Sequence, residues 1–339
     1  MANERVRIGD VARLANVSPA TVSRVLNNNA STDEALKQRV RAAVEELGYR
    51  PNRLASNLRH QQTRMIGAVI SDIENPHFTK VIGAVEEEVW KRDYRLLLCS
   101  TNESSSRQAG YLNLLLEERV AGVLLSPSDP DAKEISHLLD EGIPVVALDR
   151  MVSDHRADAI VVDNVSGGYE ATKLLIDAGH TDIGFVSGPL GLETGVGRLV
   201  GYQKAMEEAG LAPRWRQGGF RQISGLEATL RLLETESSIT AMVIANNVMA
   251  LGGLGAIRSF GARVPDDIAL VAIDDPFWAE VVEPPMTTFG QPIDRMAATA
   301  IDLLMDRIGG RTDRPVHRVF EFEKHIRKSC GTQGDLSPS

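Results

Sequence analysis

Residues 16–27 read NVSPATVSRVLN and combine a turn with the start of a short helix. Asn16 suits a tight turn, because asparagine and glycine adopt left-handed backbone conformations at the lowest cost. Ser18 can accept a hydrogen bond from the first free N–H groups of a helix. Pro19 is tolerated at the first helical position, where its missing N–H would be unpaired anyway. The stretch therefore predicts a tight turn followed by a capped helix.

The residues on either side predict two more helices around the same core. Upstream, apolar residues recur at helical spacing and predict a helix from about Ile8 to Leu14. Downstream, the same spacing predicts a helix from about Asp33 to Leu47, which Gly48 and Pro51 end. A helix, a tight turn and a capped helix form the helix-turn-helix pattern, whose second helix enters the DNA major groove. Helical hairpins that never contact DNA share this pattern, so the pattern alone leaves both functions open.

The net charge of −9 conceals two parts of opposite sign. The first sixty residues carry ten Lys and Arg against six Asp and Glu, whereas the rest of the chain carries 27 against 40. A basic module on an acidic body indicates a polyanionic partner for the module alone, since neutralising phosphates needs clustered cations. A solvated charged surface is the alternative explanation of the same balance.

The N-terminal residues resemble a known DNA-binding headpiece. IGDVARLANVSPATVSRVLNNN, from residue 8, and RVRAAVEELGYRPNRLASNLR, from residue 39, are similar to the headpiece of the lactose-repressor (LacI/GalR) family of bacterial transcription factors. The resemblance implies base contacts from Pro19, Ala20 and Arg24. An arginine can bind guanine O6 and N7 with two hydrogen bonds, and an alanine can pack on a thymine methyl, whereas a proline offers no side-chain hydrogen bond. The resemblance also implies mainly phosphate contacts from a second set: Ser18, Thr21, Ser23 and Asn27.

The resemblance continues through PNRLASNLR, residues 51–59, which matches the hinge helix of the family. A helix this short is not stable alone in water, because its nucleation costs more than a few hydrogen bonds return. The family implies that the segment orders on DNA beside its twin, with Leu58 as an apolar wedge in the minor groove. The alternative is that Leu58 packs as a core residue against the rest of the protein. The expected boundaries are a headpiece over residues 1–50 and a hinge over residues 51–62.

The rest of the chain predicts a two-lobed α/β fold. From Met65 onward, apolar runs such as MIGAVI, AGVLLS, IPVVAL, IGFVSG, AMVIA and IALVAI alternate with amphipathic stretches. Runs rich in Val and Ile between helices predict a parallel sheet covered on both faces, and these runs are too many for one small sheet. A change near Val162 predicts a second α/β unit. The predicted fold class is an α-helical helix-turn-helix headpiece joined to a two-lobed α/β domain with parallel sheets, whose cleft collects ligands.

The body resembles the regulatory core of the same family, which is similar to a periplasmic sugar-binding protein. The matching motifs are DIENPHF, VAGVLLSP, VVALDR, VVDN, GHTDIGFVSGP, GRLVGY, VPDDIALVAIDD and PPMTTFGQP. The resemblance implies an effector-binding and dimerisation domain over residues 63–334. Its N-subdomain is expected at about residues 63–161 and 291–320, and its C-subdomain at about residues 162–290 and 321–334. The resemblance also implies effector contacts from Phe78, Asp149, Arg198, Phe220, Asn246 and Asp274, and from Ser71, His77, Thr194 and Trp278.

The chemistry of these residues suits a hydroxylated ring. Carboxylates and amides accept or share hydroxyl hydrogens, and aromatic faces stack on the apolar side of a sugar. Arg198 is expected at the start of an amphipathic helix, where the dipole disfavours a cation, and this favours a role beyond packing. Core packing is the alternative for Phe78 and Phe220, and helix capping is the alternative for Asp149 and Asp274.

The expected effector is a sugar or a sugar derivative. Leu192 stands where purine-binding members of the family carry a cation, which argues against a purine. Some relatives form tetramers through a C-terminal leucine heptad segment, which the final residues SCGTQGDLSPS do not resemble. A homodimer on a pseudo-palindromic double-stranded DNA operator is therefore predicted, and the direction in which the effector shifts DNA affinity stays open.

Neither catalysis nor a membrane location is expected. The seven histidines have no HExxH or paired metal spacing, the two cysteines form no CxxC pair, and GPLGLETGVGR is neither a P-loop nor a dinucleotide fingerprint. We therefore predict no catalytic residue, metal or cofactor. The apolar runs are too short to cross a bilayer and the start has no apolar signal segment, so a cytoplasmic, nucleoid-associated bacterial protein is expected. A sugar-binding transport protein is the alternative function, but it requires export and leaves the headpiece unexplained.

Overall fold

The computed structural model describes residues 6–26, 33–49 and 63–331. The chain divides into two compact units, Met1–Gln62 and Thr63–Ser339. Within the described ranges, each helix is too short or too polar to span a bilayer.

Three short helices surround one core in the first unit. They are α1 (Ile8–Leu14), α2 (Pro19–Leu26) and α3 (Glu34–Glu46). Arg39 of α3 donates a hydrogen bond to the Ala15 carbonyl oxygen at 3.1 Å and so ties α3 to the end of α1. The three-helix core predicted from the sequence is confirmed, and its buried residues are Val11, Ala12, Ala15, Val22, Val25, Val40 and Ala43.

The turn between α1 and α2 has the predicted local structure. Asn16 has a positive φ of 50°, in the left-handed region that asparagine tolerates. The Ser18 hydroxyl accepts a hydrogen bond from the Thr21 N–H at 3.1 Å, so it caps the first turn of α2. Pro19 is the first residue of that helix. The N-terminal end of α2 is therefore held in place by both the turn and the cap.

Six parallel strands form the first sheet of the second unit. They are β1 (Met65–Ile70), β2 (Arg95–Ser100), β3 (Gly122–Leu125), β4 (Val145–Leu148), β5 (Asp158–Val162) and β11 (His317–Phe320). Their order in the sheet is β11-β5-β4-β3-β1-β2. On one face lie α4 (Pro76–Lys91) and α11 (Ile293–Ile308), and on the other lie α5 (Ser105–Glu117) and α6 (Lys133–Asp140). We call this part of the molecule the N-lobe.

The second sheet also has six strands. They are β6 (Ile183–Ser187), β7 (Arg214–Gln217), β8 (Ala241–Ile244), β9 (Ala269–Ile273), β10 (Thr287–Gly290) and β12 (Glu323–His325). Their order is β12-β10-β9-β8-β6-β7, and only the pairing of β10 with β12 is antiparallel among these described strands. The flanking helices are α7 (Asn164–Asp177), α8 (Glu193–Glu208), α9 (Gln222–Thr235) and α10 (Asn247–Ser259), with short 3-10 helices at Phe277–Glu280 and Lys328–Cys330. We call this part the C-lobe.

The chain crosses between the lobes repeatedly. It leaves the N-lobe after β5, returns after β10, and crosses again after β11. The central strands β3, β4, β8 and β9 are buried along their whole length, as expected for parallel sheets covered on both faces. The predicted two-lobed α/β fold with parallel sheets is confirmed.

Helices α7 and α8 approach each other closely at Gly201. A Cβ atom at this position would lie 2.0 Å from the Val165 carbonyl oxygen of α7. We expect Gly201→Ala to lower the free energy of unfolding by about 1–3 kcal/mol, because the α7 backbone must move away. Gly83 on α4 supplies the control, since its Cβ would meet nothing within 4 Å. Gly83→Ala should raise stability by about 0.4–1 kcal/mol; equal urea midpoints for the two variants would contradict the close approach.

Candidate functional site

The outer surface of α2 carries most of the residues predicted to contact DNA. Arg24 is exposed, and its Nε lies 3.5 Å from the Ala20 carbonyl oxygen. Within residues 6–26 and 33–49, no carboxylate pairs with the Arg24 guanidinium. This cation is therefore accessible at the surface of the helix. The other predicted contacts on this surface are Ser18, Pro19 and Ala20, which are exposed, and Thr21 and Ser23, which are partly exposed. The predicted contacts Asn27 and Leu58 lie outside the described residues.

A small cavity lies between the two lobes, at the carboxyl ends of strands from both sheets. Its volume is about 30 Å³, enough for about one or two water molecules. A larger pocket of about 690 Å³ adjoins this cavity and shares His77, Asp274 and Gln291 with it. The predicted effector residues that line this cavity are His77, Phe78, Asp149, Thr194, Arg198, Phe220, Asn246 and Asp274.

Two predicted effector residues do not line this cavity. Ser71 follows β1 and is fully buried, and its hydroxyl has no hydrogen-bond partner among the described residues. Trp278 lies in the 3-10 helix Phe277–Glu280 and packs against the C-lobe core. Both were predicted from the resemblance of their motifs alone.

The cavity lining also includes residues that sequence reasoning missed. Asp72 and Asn75 follow β1, and Arg150 follows β4 directly beside the predicted Asp149. Their position after a buried strand could therefore have identified these three residues from the sequence. Gln291 directly follows the buried strand β10 and carried the same signal, and the remaining lining residues are Glu103, Gly219 and Arg221.

Four residues of the lining have left-handed backbone conformations. The φ angles are 59° at Glu103, 70° at Asp149, 55° at Phe220 and 69° at Asp274. Asp149 directly follows β4 of the N-lobe and Asp274 directly follows β9 of the C-lobe, so two carboxylates at related positions face one cavity. Such conformations cost about 1–3 kcal/mol each and cluster at functional sites. Neither aspartate is the N-cap of a described helix, so helix capping does not explain them.

Asn246 has a structural role as well as a place in the lining. It is the N-cap of α10, and its Oδ1 accepts a hydrogen bond from the Met249 N–H at 2.8 Å. Its Nδ2 donates to Asn247 Oδ1 at 3.1 Å. Both ends of the amide are thus engaged, and Asn246 shapes the wall of the cavity.

Arg198 lies in the second turn of α8, which begins at Glu193. The prediction that it starts the helix was wrong, because the chain enters α8 earlier, and the dipole argument does not apply. The buried guanidinium donates to Asn164 Oδ1 at 2.9 Å and to the Ala245 carbonyl oxygen at 2.5 Å. Its Nη1 also lies 3.7 Å from Asp274 Oδ2. Arg198 therefore joins α7, α8 and the end of β8, and it supports the Asp274 carboxylate.

The adjacent aspartates 274 and 275 have different partners. Asp274 accepts a hydrogen bond from Gln291 Nε2 at 3.0 Å within the cavity wall. Asp275 accepts one from Arg327 at 2.7 Å and another from Thr288. Burial alone raises the pKa of Asp275, but these hydrogen bonds from Arg327 and Thr288 hold that pKa below its ordinary value. Asp275 is therefore part of an ion pair inside the C-lobe, and Asp274 is the carboxylate available to the cavity.

Among the carboxylates of the lining, that of Asp149 is the least engaged. Among the described residues, no hydrogen-bond donor reaches it, and its nearest cation is Arg150, with Nε at 3.5 Å. Arg150 itself donates to both carboxylate oxygens of Glu103, at 2.7 and 2.8 Å. Buried polar groups are normally hydrogen-bonded, so a buried carboxylate without a donor indicates a site for a ligand.

A hydrogen bond joins the two lobes at the edge of the cavity. Arg221 Nη2 of the C-lobe donates to Asn102 Oδ1 of the N-lobe at 2.7 Å. Asn102 and Glu103 have positive φ angles of 52° and 59°, and Arg150 fixes Glu103. We call this contact the Arg221 latch, because it connects one lobe to a rigid turn of the other.

The described ranges contain no group of three His, Cys, Asp or Glu residues placed to hold a metal ion. The charged residues of the cavity are instead arranged in ion pairs and hydrogen bonds with one another. Their arrangement provides hydrogen-bond acceptors beside two phenylalanine rings, which is a binding surface for a small polar molecule.

Comparisons with known proteins agree with this architecture. Residues 7–52 match the model of bacterial regulatory proteins of the lacI family, and residues 172–330 match the periplasmic binding protein-like domain. An HTH-type transcriptional repressor PurR from Histophilus somni (strain 129Pt) is 36% identical over 331 residues, which cover 96% of this chain and 99% of that protein.

Two solved structures are similar over almost the whole chain. The transcriptional regulator CelR in complex with cellobiose is 33% identical with a TM-score of 0.73, covering 96% of this chain and 100% of that one. The lac repressor dimer bound to operator and the anti-inducer ONPF is 26% identical with a TM-score of 0.85, covering 96% and 99% of the two chains. Together with the helix-turn-helix unit and the two-lobed body, these matches show that the chain belongs to the LacI family of bacterial regulatory proteins.

Proposed function

We propose that this protein is a cytoplasmic transcriptional repressor whose affinity for a DNA operator changes when a small hydroxylated effector binds between its lobes. The observation that carries the proposal is one chain with both an exposed helix-turn-helix surface and a cavity that Asp149 and Asp274 line from different lobes. The protein acts as a homodimer without a cofactor. Its headpiece spans residues 1–50, its hinge 51–62 and its effector-binding domain 63–334.

The headpiece supplies the DNA specificity. The N-terminal end of α2 enters the major groove, where Arg24 binds a guanine and Ala20 packs on a thymine methyl. Two headpieces of a homodimer bind half-sites about one helical turn apart on a pseudo-palindrome. The hinge residues add a minor-groove contact through Leu58. The lac repressor dimer bound to operator, with a TM-score of 0.85, supports this mode of binding.

The cavity favours a neutral sugar or sugar derivative. The guanidiniums of Arg150, Arg198 and Arg221 already donate to protein oxygens, which favours a neutral effector over an anionic one. Asp149, together with the buried Gln291 Oε1, remains available as a hydroxyl acceptor. The structure of CelR in complex with cellobiose is a relative with such a ligand.

A purine is the competing effector class. It is favoured by the relatives named PurR, of which the Histophilus somni protein is 36% identical. Against it stands Leu192, the N-cap of α8, whose side chain has neither a charge nor a hydrogen-bonding group. The two classes differ in a measurable way, because only one of them should change DNA affinity.

Effector binding can act on DNA through the lobes. Residues of both lobes line the cavity, so an effector bound there contacts both of them. An effector shifts DNA affinity only by the difference between its affinities for the two arrangements. The relative position of the lobes thus links effector binding in the cavity to DNA binding by the headpiece.

The proposal is tested by selecting DNA sites and then screening effectors. Full-length protein is used to enrich duplexes from a randomised pool, and binding to the enriched site is measured at fixed salt. Neutral sugars including cellobiose, sugar acids, sugar phosphates and purines are then added in turn. Enrichment of a pseudo-palindrome, with a change in affinity caused by a neutral sugar, supports the proposal. A change caused only by purines overturns the sugar assignment, and no enrichment at all overturns the repressor assignment.

The Arg221 latch should control how fast an effector leaves. Arg221→Ala removes a hydrogen bond between the lobes, and because the latch is exposed we expect about a twofold to fivefold faster effector dissociation. Stopped-flow measurement of the dissociation rate checks this expectation. Arg231→Ala is the control, since Arg231 is an exposed arginine of α9 outside the cavity. Equal dissociation rates for the two variants would show that the latch has no kinetic role.

A further inference from the structure

The pocket of about 690 Å³ beside the small cavity has a lining largely of its own. The first turn of α4 contributes to it from the N-lobe, and the 3-10 helix Phe277–Glu280 contributes from the C-lobe. The chain segments that cross between the lobes add Gln291 and Glu323. Small-molecule sites in proteins measure about 300–1,000 Å³. The pocket is therefore large enough for a ligand in addition to the one in the small cavity.

A buried amide in the lining of this pocket has a donor without an acceptor. Asn247, the first residue of α10, is fully buried and lines the pocket but not the small cavity. Its Oδ1 accepts hydrogen bonds from the Val248 N–H at 2.6 Å and from Asn246 Nδ2 at 3.1 Å, which fixes the orientation of the amide. Among the described residues, no acceptor reaches Asn247 Nδ2. Because buried donors are normally satisfied, this group indicates a ligand with an oxygen acceptor.

Three of the five carboxylates in the pocket lining have cations beside them. Asp275 and Glu280 lie 2.7 and 3.1 Å from the Arg327 guanidinium, and Asp274 lies 3.7 Å from that of Arg198. Neither arginine is part of the lining. These three carboxylates are therefore compensated by the protein itself.

The other two carboxylates belong to Glu74 and Glu323, whose side chains are both exposed. In the described part of the chain, neither forms an ion pair with a cation. The five carboxylates exceed the three nearby cations, Lys80 and the two arginines, by two charges when the imidazoles of His77 and His325 are neutral. A pocket lined by an excess of one sign of charge concentrates ligands of the opposite sign.

Apolar side chains form the rest of the surface that a ligand would contact. They belong to Pro76, Pro276, Phe277 and Ile293. Phe277 is 83% exposed, so its ring is accessible to a ligand. An aromatic face attracts an organic cation placed over it. Apolar surface beside two uncompensated carboxylates thus suits an ammonium group on a short carbon chain.

We infer that this pocket is a second ligand site, which binds a small amino compound with a cationic ammonium group and a hydroxyl or carbonyl oxygen. The ammonium group binds near Glu74 and Glu323, and the oxygen accepts a hydrogen bond from Asn247. The site is additional to the proposed effector site, because the sugar occupies the neighbouring cavity. Binding of the amino compound can be measured with neither sugar nor DNA present.

Three probes of the same length separate the effect of charge from the effect of shape. Aminobutanol, butanediol and hydroxybutyrate each carry a hydroxyl at one end of a four-carbon chain, and their other ends are cationic, neutral and anionic. Each probe is titrated into full-length protein at fixed salt and about pH 8, where an ordinary imidazole is neutral. Nuclear magnetic resonance of the probe gives its dissociation constant. Aminobutanol should bind about fivefold or more tightly than butanediol, because hydrogen bonds to charged groups are the stronger ones, and hydroxybutyrate should bind most weakly.

Removing the two uncompensated charges tests where the cation binds. A variant with both Glu74→Gln and Glu323→Gln should bind aminobutanol about threefold to tenfold more weakly than the parent, since each exposed charge contributes modestly. Butanediol should bind to this variant as it does to the parent. The matched control carries Glu227→Gln and Glu321→Gln, which remove two exposed carboxylates outside the pocket lining. The control should bind aminobutanol with the parent affinity.

Either of two results would overturn the inference. The first is a parent protein that binds aminobutanol no more tightly than butanediol, or does not bind it at all. The second is a variant without Glu74 and Glu323 that binds aminobutanol as tightly as the control variant does. Both results would leave the DNA-binding and effector assignments standing, because neither DNA nor sugar is present in the experiment.

Discussion

Arg24→Ala is expected to reduce operator preference strongly while leaving the fold intact. The side chain is exposed on α2 and, within the described part of the headpiece, has no carboxylate partner, so its removal does not unsettle the three-helix core. A bidentate arginine on guanine contributes about 1–3 kcal/mol of discrimination, and a homodimer has two such contacts, giving about 2–6 kcal/mol in total. The ratio of operator to random-DNA affinity should therefore fall by about thirtyfold or more.

Arg41→Ala provides the matched control for this variant. Arg41 is an exposed arginine of α3 in the same unit, so its removal deletes the same charge. It should weaken operator and random DNA to the same extent, because a lost charge acts without regard to sequence. If Arg24→Ala also kept the parent ratio of affinities, α2 would not be the helix that reads the bases.

Asp149→Asn is expected to weaken effector binding by about tenfold to a hundredfold. A hydrogen bond to a charged group contributes about 1.5–3 kcal/mol, and asparagine keeps the size of the side chain but lacks the charge. Because no described donor engages the Asp149 carboxylate, the substitution leaves no partner unpaired within the protein. Operator affinity without effector should stay at the parent value, and calorimetric titration with the effector identified by screening measures the loss.

Asp93→Asn is the matched control, because it makes the same substitution at another aspartate with a left-handed backbone that does not line the cavity. Asp93 also has a left-handed φ, of 64°, but it lies in the exposed turn between α4 and β2 and pairs with Arg64. This variant should bind the effector as the parent does. An unchanged effector affinity in Asp149→Asn would instead show that the carboxylate without a donor is not a ligand contact.

The variant Arg198→Ala is a weaker test of the same site. Removing this buried guanidinium leaves Asn164 Oδ1 and the Ala245 carbonyl oxygen without their donor and Asp274 without its nearest cation. Breaking such a buried pair costs about 3–5 kcal/mol. A loss of effector response in this variant would therefore not distinguish a lost effector contact from a loss of stability.

The local signals in the sequence were sufficient to predict the turn and the helices of the headpiece. Asn16, Ser18 and Pro19 lie within four residues of one another, and each acts on its own turn or helix end, so their effect does not depend on the rest of the fold. The alternating apolar runs also predicted the lobes, because a parallel sheet covered on both faces needs such runs. The positions of Asp149 and Asp274 followed from the strands that they terminate together with the resemblance.

The connections between the lobes could not be predicted in this way. Arg221 and Asn102 are far apart in the sequence, and nothing near either residue indicates the other. The start of α8 was misplaced for a related reason, since its N-cap, Leu192, makes no side-chain cap hydrogen bond and gives no sequence signal. Contacts of this kind depend on how the lobes meet, which is set by tertiary packing.

The central claim is that the cavity and the headpiece are coupled, and reciprocity tests it most directly. The dissociation constant for the operator is measured with and without saturating effector, and that for the effector with and without saturating operator, at one salt concentration and pH. The account predicts that both constants change by the same factor, about fivefold or more, because coupling between two binding sites is reciprocal. If the effector binds with an affinity that operator DNA does not alter, and operator affinity is likewise unaffected by the effector, the two sites are independent and the account is wrong.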